Sequence, residues 1–180
     1  EDGWNVLTTR EPGGTAIGDQ VRQVLMRTDN TAMNPRAETL LFLAARAQLV
    51  DQIIRPALAE GSVVISDRYG DSTLAYQGYG HGNDLGIIRQ MLAFATGGLV
   101  PDLTLLLDVD PAIGLRRKKT VGEWNRLDAY ELEFHRRVRA GYFELVREDP
   151  KRWTVLDASQ PREMVQSDLR QAILARLTKN

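Results

Sequence analysis

Asp67 and Arg68 stand directly after the apolar run Val63-Val64-Ile65-Ser66. A carboxylate at the end of such a run suits one that faces a phosphate and helps hold Mg²⁺, directly or through water. An arginine beside it can grip a phosphate with its planar fork, since adjacent side chains beyond a strand point in different directions. Asp67 as a simple cap at a strand end is the plainer alternative. Arg10-Glu11-Pro12-Gly13-Gly14-Thr15 is a second candidate, because two glycines ahead of a helix let backbone N–H groups approach an anion; a tight loop explains it equally. Phe42 and Arg46 are four residues apart, so they share a helix face. They could stack on a base and hydrogen-bond its edge, or be a core ring with an arginine reaching outward.

Two further segments carry chemistry. In Asp71-Ser72-Thr73-Leu74-Ala75-Tyr76-Gln77-Gly78, the residues Thr73, Tyr76 and Gln77 line one side of a short helix. Gly78, Gly80 and Gly82 predict a mobile loop after it. Between Arg116 and Arg126 lie five basic residues and one acid, Glu123. Phosphoryl transfer needs positive charge over the transferring group, and a flexible basic lid supplies it while excluding water; a solvated helix end is the alternative.

The elements that must position these residues follow from periodicity and caps. Strands are predicted at Asn5–Thr9, Val63–Ser66, Leu103–Leu107 and Thr154–Leu156, the middle two buried on both faces. Helices are predicted from Thr15 to about Met26, from Pro35 behind an Asn34 cap to Gly61 with an interruption at Pro56, from Leu85 to Thr96, from Pro111 into the basic run, from Leu127 to Glu148, and from Pro161 onward. The last of these carries Met164, Val165, Leu169, Ile173, Leu174 and Leu177 on its apolar face. Strands alternating with helices predict an α/β fold in three layers, a parallel sheet with helices on both faces. Ligands in such sheets bind at the carboxyl ends of strands, so Arg10, Asp67, Arg68, Asp108 and Ser159 are expected on one rim.

Composition narrows the function classes. The 180 residues balance 23 Lys and Arg against 24 Asp and Glu, so no global positive field draws nucleic acid or a membrane surface. With no Cys, disulfides, thiolate metal sites and a Cys nucleophile are excluded. No signal-like or membrane-length apolar run occurs, and a cytoplasmic protein is expected. The opening Glu1-Asp2-Gly3 reads as the end of a helix with Gly3 as its C-cap, which predicts further sequence before it.

Together, Arg10-Glu11-Pro12-Gly13-Gly14-Thr15, Asp67-Arg68-Tyr69 with Ser72 to Gln77, and Pro101-Asp102-Leu103-Thr104 leading to Asp108 resemble the bacterial thymidylate kinases across essentially the whole chain. The resemblance implies a nucleoside monophosphate kinase-like phosphate-loop fold that transfers the γ-phosphoryl of ATP to dTMP, giving dTDP, with Mg²⁺. It implies that Phe42 stacks on thymine and Arg46 bonds its edge. Arg68 would hold the dTMP phosphate with Arg10 close by, Thr73 and Gln77 would line the pocket, and Tyr76 would lie near the deoxyribose. Asp67 would join the metal shell, Arg116, Arg117 and Arg126 would serve the transferred charge and ATP, and Ser159 would lie near adenine. It also implies a homodimer, for which the apolar helix from Pro35 to Glu60 offers a face. Residues 1–180 form one domain, with a lid over residues 116–128.

Two departures accompany the resemblance. The lid normally reads Asp-Arg, a hydrophobic residue, then Glu; here it is Asn125-Arg126-Leu127-Asp128. No Gly-x-x-x-x-Gly-Lys-Ser/Thr run occurs among the 180 residues, although that loop cradles ATP phosphates. Its expected place is before Glu1, in a strand, loop and helix of roughly 30 residues. The domain is therefore expected to be N-terminally incomplete, inactive alone, and open where a central strand is missing. The alternatives are a related nucleoside or nucleotide kinase, and a non-catalytic nucleotide-binding remnant.

Overall fold

A computed structural model describes residues 3–122 and 124–178. The predicted helix end at Glu1 and Asp2, and the lone lid acid Glu123, lie outside the described residues. Strand β1, Val6–Arg10, leads through the Gly13-Gly14 loop into helix α1, Ala16–Met26, whose N-cap Thr15 accepts a bond from Gly18 N. Helix α2, Pro35–Leu49, starts as predicted, with the Asn34 side chain capping it and Pro35 in the first turn. Pro56 has no N–H to continue the ladder. The chain answers with a π-helical turn at Val50–Ile54 before helix α3, Arg55–Ala59.

Strand β2, Val63–Asp67, is followed by helix α4, Gly70–Thr73, which widens into a π-helix over Leu74–Gly80. Helix α5, Leu85–Thr96, is capped by Asp84 and stopped by left-handed Gly97. Strand β3, Thr104–Asp108, leads to helix α6, Pro111–Val121. A 3₁₀ turn, Arg126–Ala129, precedes helix α7, Leu132–Glu148. Strand β4, Trp153–Asp157, and helix α8, Arg162–Leu177, complete the described chain.

Among the described residues the four strands do not form one sheet. β1 pairs with β2 in parallel, Val6 opposite Val63 and Arg10 opposite Asp67, and β3 pairs with β4 in parallel, Thr104 opposite Trp153. The inner strands β2 and β3 both line a cleft of about 810 Å³. This corrects the expectation that both are buried on two faces: Ile65 and Leu107, which line the cleft, are exposed. The two pairs are bridged beside the cleft by Arg152. Its Nη1 and Nη2 donate to Asp71 Oδ2 (2.6 Å) and Oδ1 (2.9 Å), and Nη1 also donates to Thr104 Oγ1 (2.7 Å).

Three expectations about elements are corrected. The long helix begins at Leu132, not Leu127, because Asn125 and Asp128 form a reciprocal capping box that closes a separate 3₁₀ turn. The altered lid carboxylates thus have a definite local role. The residues after Tyr76 are not a mobile loop: the π-helix runs to Gly80, and a Cβ there would lie 2.7 Å from the Phe134 ring and 2.9 Å from Val138. Glycine is required for contact with α7. Helix α8 has no buried residue, Met164 and Leu174 being exposed, because its Ile173 and Leu177 border the open cleft rather than a packed core.

The core lies around α2, the π-helix, α5 and α7, where Leu43, Leu74, Ile88, Leu92, Leu145 and Trp153 pack together. Gly141 lets α7 approach the π-helix, since a Cβ on it would sit 2.5 Å from Tyr79 Cγ and 2.6 Å from its Cβ. The near approach of Tyr79 Cβ means the ring cannot simply swing aside. Gly141→Ala is expected to lower unfolding free energy by about 1–3 kcal/mol, read as a reduced denaturant midpoint with unchanged slope.

Candidate functional site

The predicted site residues on β1 and β2 are brought together. Arg10 lies opposite Asp67 in the parallel ladder. Arg68 adopts φ 71°, a left-handed conformation uncommon for a side chain of this size and often found at functional positions. Ser66 Oγ donates to the Arg68 carbonyl (2.7 Å), and the Arg68 guanidinium lies 5.0 Å from the Tyr76 ring centroid. Arg22, on α1, joins this group and was not among the residues singled out from sequence. Its Nη1 donates to Pro12 O (2.9 Å). Burial and the neighbouring charges of Arg10 and Arg68 pull its pKa down, against Asp19 and Asp67. The available signal was its position one turn beyond Asp19, on the helix that follows the glycine loop.

The glycine loop itself is a tight turn. Gly14 N donates to Asp19 Oδ1 (3.2 Å), and a Cβ on Gly14 would meet Thr9 Oγ1 at 2.7 Å and Leu49 Cδ1 at 2.8 Å. The Gly14 N–H is thus taken by a side chain of the helix that follows. What the segment contributes is Glu11, buried beside Arg46. Arg46 is 1% exposed, which overturns the reading of it as an outward-reaching arginine. Its Nε and Nη2 donate to Glu11 Oε2 (2.8 and 2.5 Å), Nη1 to Thr73 Oγ1 (2.8 Å), and Nη2 also to Tyr69 O (3.1 Å). A guanidinium has five N–H donors, so one on Nη1 is without a protein partner among these bonds. Phe42, one turn earlier on α2, is buried.

Gln77 does not open onto free space. It is 1% exposed, and its Nε2 donates to Glu38 Oε1 (2.8 Å). Thr73 is equally buried; Tyr76 is half-buried. Arg126 also differs from expectation: it is 5% exposed and pairs with Glu38 Oε2 (2.6 Å), while its Nε donates to Leu25 O (2.9 Å). It is therefore not a free cation over the site. Sequence reasoning missed Glu38 because a glutamate in the first turn of a helix ordinarily serves the dipole from the surface. Here burial raises its pKa. Hydrogen bonds from His81, Gln77 and Arg126, with the Arg126 charge, outweigh burial and hold it down to about 2.

The remaining candidates lie on the β3–β4 side. Arg117 Nη1 donates to Ala158 O (2.7 Å) and Nη2 to Ser159 O (3.3 Å), so Arg117 and Ser159 do meet. Arg116 is exposed. Asp108 is held by Arg139 through two bonds of 2.7 Å. Asp67, Arg68 and Asp108 all border the cleft; Arg10 lies opposite Asp67 in one strand pair and Ser159 follows β4 in the other. Among the described residues there is no cluster of three or more His, Cys, Asp or Glu that could enclose a metal ion. Asp67, exposed at its strand end, fits Mg²⁺ as one ligand of a shell otherwise made of phosphate oxygens and water.

Comparison with known proteins identifies the family. The thymidylate kinase family model matches residues 1–169. The chain belongs to the thymidylate kinase family. A thymidylate kinase of a Roseiflexus species is 56% identical over 86% of this chain and 74% of its own length. Those of Thermomicrobium roseum and Deinococcus radiodurans are 52% and 47% identical, covering 92% and 97% of this chain and 78% and 84% of theirs. Family membership carries the α/β phosphate-loop kinase fold and a phosphotransferase class, and the parallel strands and flanking helices agree with it.

Two buried charges should dominate stability. Arg46→Leu leaves Glu11 buried and unpaired, and should cost about 3–5 kcal/mol; the double variant Glu11→Leu, Arg46→Leu should recover most of that, as measured by urea unfolding at pH 7. Glu38 has a folded pKa of about 2 against an ordinary 4.5. Its contribution is complete above pH 4.5 and lost as pH falls through about 2, a difference on the order of 3 kcal/mol. The pH dependence of the unfolding midpoint between 4.5 and 2 should accordingly be shallower in Glu38→Gln.

Proposed function

We propose that this chain forms the acceptor side and lid of an enzyme that phosphorylates dTMP to dTDP with Mg-ATP. The observation that carries the reading is the convergence of Arg10, Arg22 and Arg68 on Asp67, within a chain whose Tyr76 meets Arg68 and whose family acts on this class of substrate. Three guanidinium groups around few carboxylates favour a bound phosphate. In this reading Phe42 stacks on thymine, the spare N–H of Arg46 bonds the base edge, and Tyr76 lies beside the deoxyribose. Thr73 and Gln77 fix Arg46 and Glu38 behind the pocket. A phosphate oxygen of dTMP bonds to the γ-phosphorus as the bond to the bridging oxygen breaks, and ADP leaves with that electron pair. Asp67 would hold Mg²⁺ in part, and the ion would supply positive charge to the phosphates. Arg116 and Arg117 supply positive charge from the lid, with Ser159 on the adenine side.

The cradle for the ATP phosphates is not among these residues. We infer that a further parallel strand, carrying a phosphate loop, fills the cleft between β2 and β3 in the working enzyme. Several features support this. Both inner strands border the cleft without pairing with each other. The buried Nε1 of Trp153 and Nε2 of His135, residues that line it, have no hydrogen-bond partner. A strand there would join the two pairs into the single sheet expected of the fold. A second copy of the chain is the proposed partner for α5 and α2, where Ile87 and Phe94 share one face and Leu40 is exposed. A cytoplasmic setting is part of the same proposal.

A paired assay with Mg-ATP tests the reading, using these 180 residues and the same residues preceded by a strand, a Gly-x-x-x-x-Gly-Lys-Ser/Thr loop and a helix. dTDP formation is expected only from the longer protein, with dTMP preferred over dUMP, UMP and thymidine. In that protein, Arg68→Ala should lower kcat/KM by about 10²–10³-fold. Robust turnover by the 180 residues alone would defeat the need for the added strand. Inactivity of both proteins, with dTMP still bound, would favour a non-catalytic nucleotide-binding role.

A further inference from the structure

Glu38 is 0% exposed and divides its two oxygens between two parts of the molecule. Oε1 accepts from Gln77 Nε2 at 2.8 Å and lies 3.0 Å from His81 Nε2. Gln77 is in the π-helix after α4, and His81 ends it. Oε2 accepts from Arg126 Nη2 at 2.6 Å and from the Tyr130 hydroxyl at 2.9 Å. Those two residues span the 3₁₀ turn that follows the basic run, and Arg126 Nη1 also donates to the Tyr130 hydroxyl (2.7 Å). A second pairing holds the same turn, Lys118 Nζ reaching both oxygens of Asp128 at 2.9 and 2.8 Å.

We propose that Glu38 is a positioning residue that latches the Arg126–Tyr130 turn and makes its setting depend on the π-helix that carries Tyr76 and Gln77. The physical basis is the shared carboxylate. Its two oxygens are rigidly joined, so a shift of Gln77 or His81 on one oxygen is felt by Arg126 on the other. Inside the protein neither side can exchange its partner for water at low cost, and bonds in such a network polarise one another. A pocket whose wall is the π-helix is thereby tied to the turn that ends the basic segment. The dependence on nucleotide rests on the acceptor-site reading above; the latch itself does not.

Trypsin separates the two. Its cleavage after Arg126 requires that side chain to leave its buried pair, so the Arg126–Leu127 bond should resist in the native protein. Glu38→Gln presents an amide N–H₂ where one of the two groups of donors needs an acceptor. Cleavage at Arg126, located by mass spectrometry, should rise on the order of tenfold, while cleavage at arginines remote from the turn stays unchanged. Tyr130→Phe keeps the ring and removes one bond to Oε2, and should give a smaller rise at the same bond; it decides the matter if Glu38→Gln unfolds. Saturating dTMP should slow cleavage at Arg126 several-fold in the native protein and leave the rate in Glu38→Gln unchanged, although calorimetry still detects dTMP binding. Unchanged cleavage without nucleotide in both variants would overturn the latch. Equal protection by dTMP in native protein and Glu38→Gln would overturn the coupling. Failure of dTMP to bind the native protein would count against the acceptor-site reading and the coupling, with the nucleotide-free rates still deciding the latch.

Discussion

A helix that buries a carboxylate and a guanidinium two turns apart must find partners for both, since an unpaired charge inside a protein is costly. α2 does this with Glu38 and Arg46, and the partners come from every side. Glu11 arrives from the segment after β1, the Tyr69 carbonyl and Thr73 from the two ends of α4, Gln77 and His81 from the π-helix, and Arg126 and Tyr130 from the turn before α7. Satisfying the two charges on α2 therefore fixes the relative placement of the segments that carry the site.

The same accounting explains the shape of the pocket region. Arg46 spends four N–H bonds on the protein, so its orientation is set before any ligand arrives. Preorganisation of this kind reduces what binding must spend on ordering side chains. The arginines at the strand ends differ. Arg10 and Arg68 are exposed, with Arg22 tethered only to a carbonyl, which leaves their charge available to an anion. On the proposed reading, the rigid groups face the base and the accessible groups face the phosphate.

The cleft between the strand pairs has the opposite character. Its lining includes the apolar strand residues Val64, Leu105 and Leu106 and two orphaned ring nitrogens. It resembles a core position more than a solvent channel. The Arg152 bridge to Asp71 and Thr104 ties the two strand pairs together beside this opening, where backbone bonding between β2 and β3 does not.

Much of the molecule was legible in the sequence. Caps at Asn34 and Asp84, the proline at position 35 and the stop at Gly97 are local chemistry, and the helix starts and the stop they mark lie where expected. The strand-end residues Asp67 and Arg68 were legible for the same reason. Long-range pairing was not. The apolar helix predicted from Pro35 gave no sign of Glu38; in the structure Leu40 is 57% exposed and Glu38 fully buried. Nothing local distinguishes a surface glutamate from one whose partners lie 39, 43 and 88 residues away. The glycines at 78 and 80 read as flexibility from sequence, and only the packing of Leu85 and Phe134 against them shows that they are spacers. Capping and strand-end chemistry act within a few residues, so the sequence alone determined where most elements start and which charged groups follow the strands. The burial of charge is decided by what surrounds it, so the tertiary structure alone determined which arginines are free to meet a ligand and which hold the fold together.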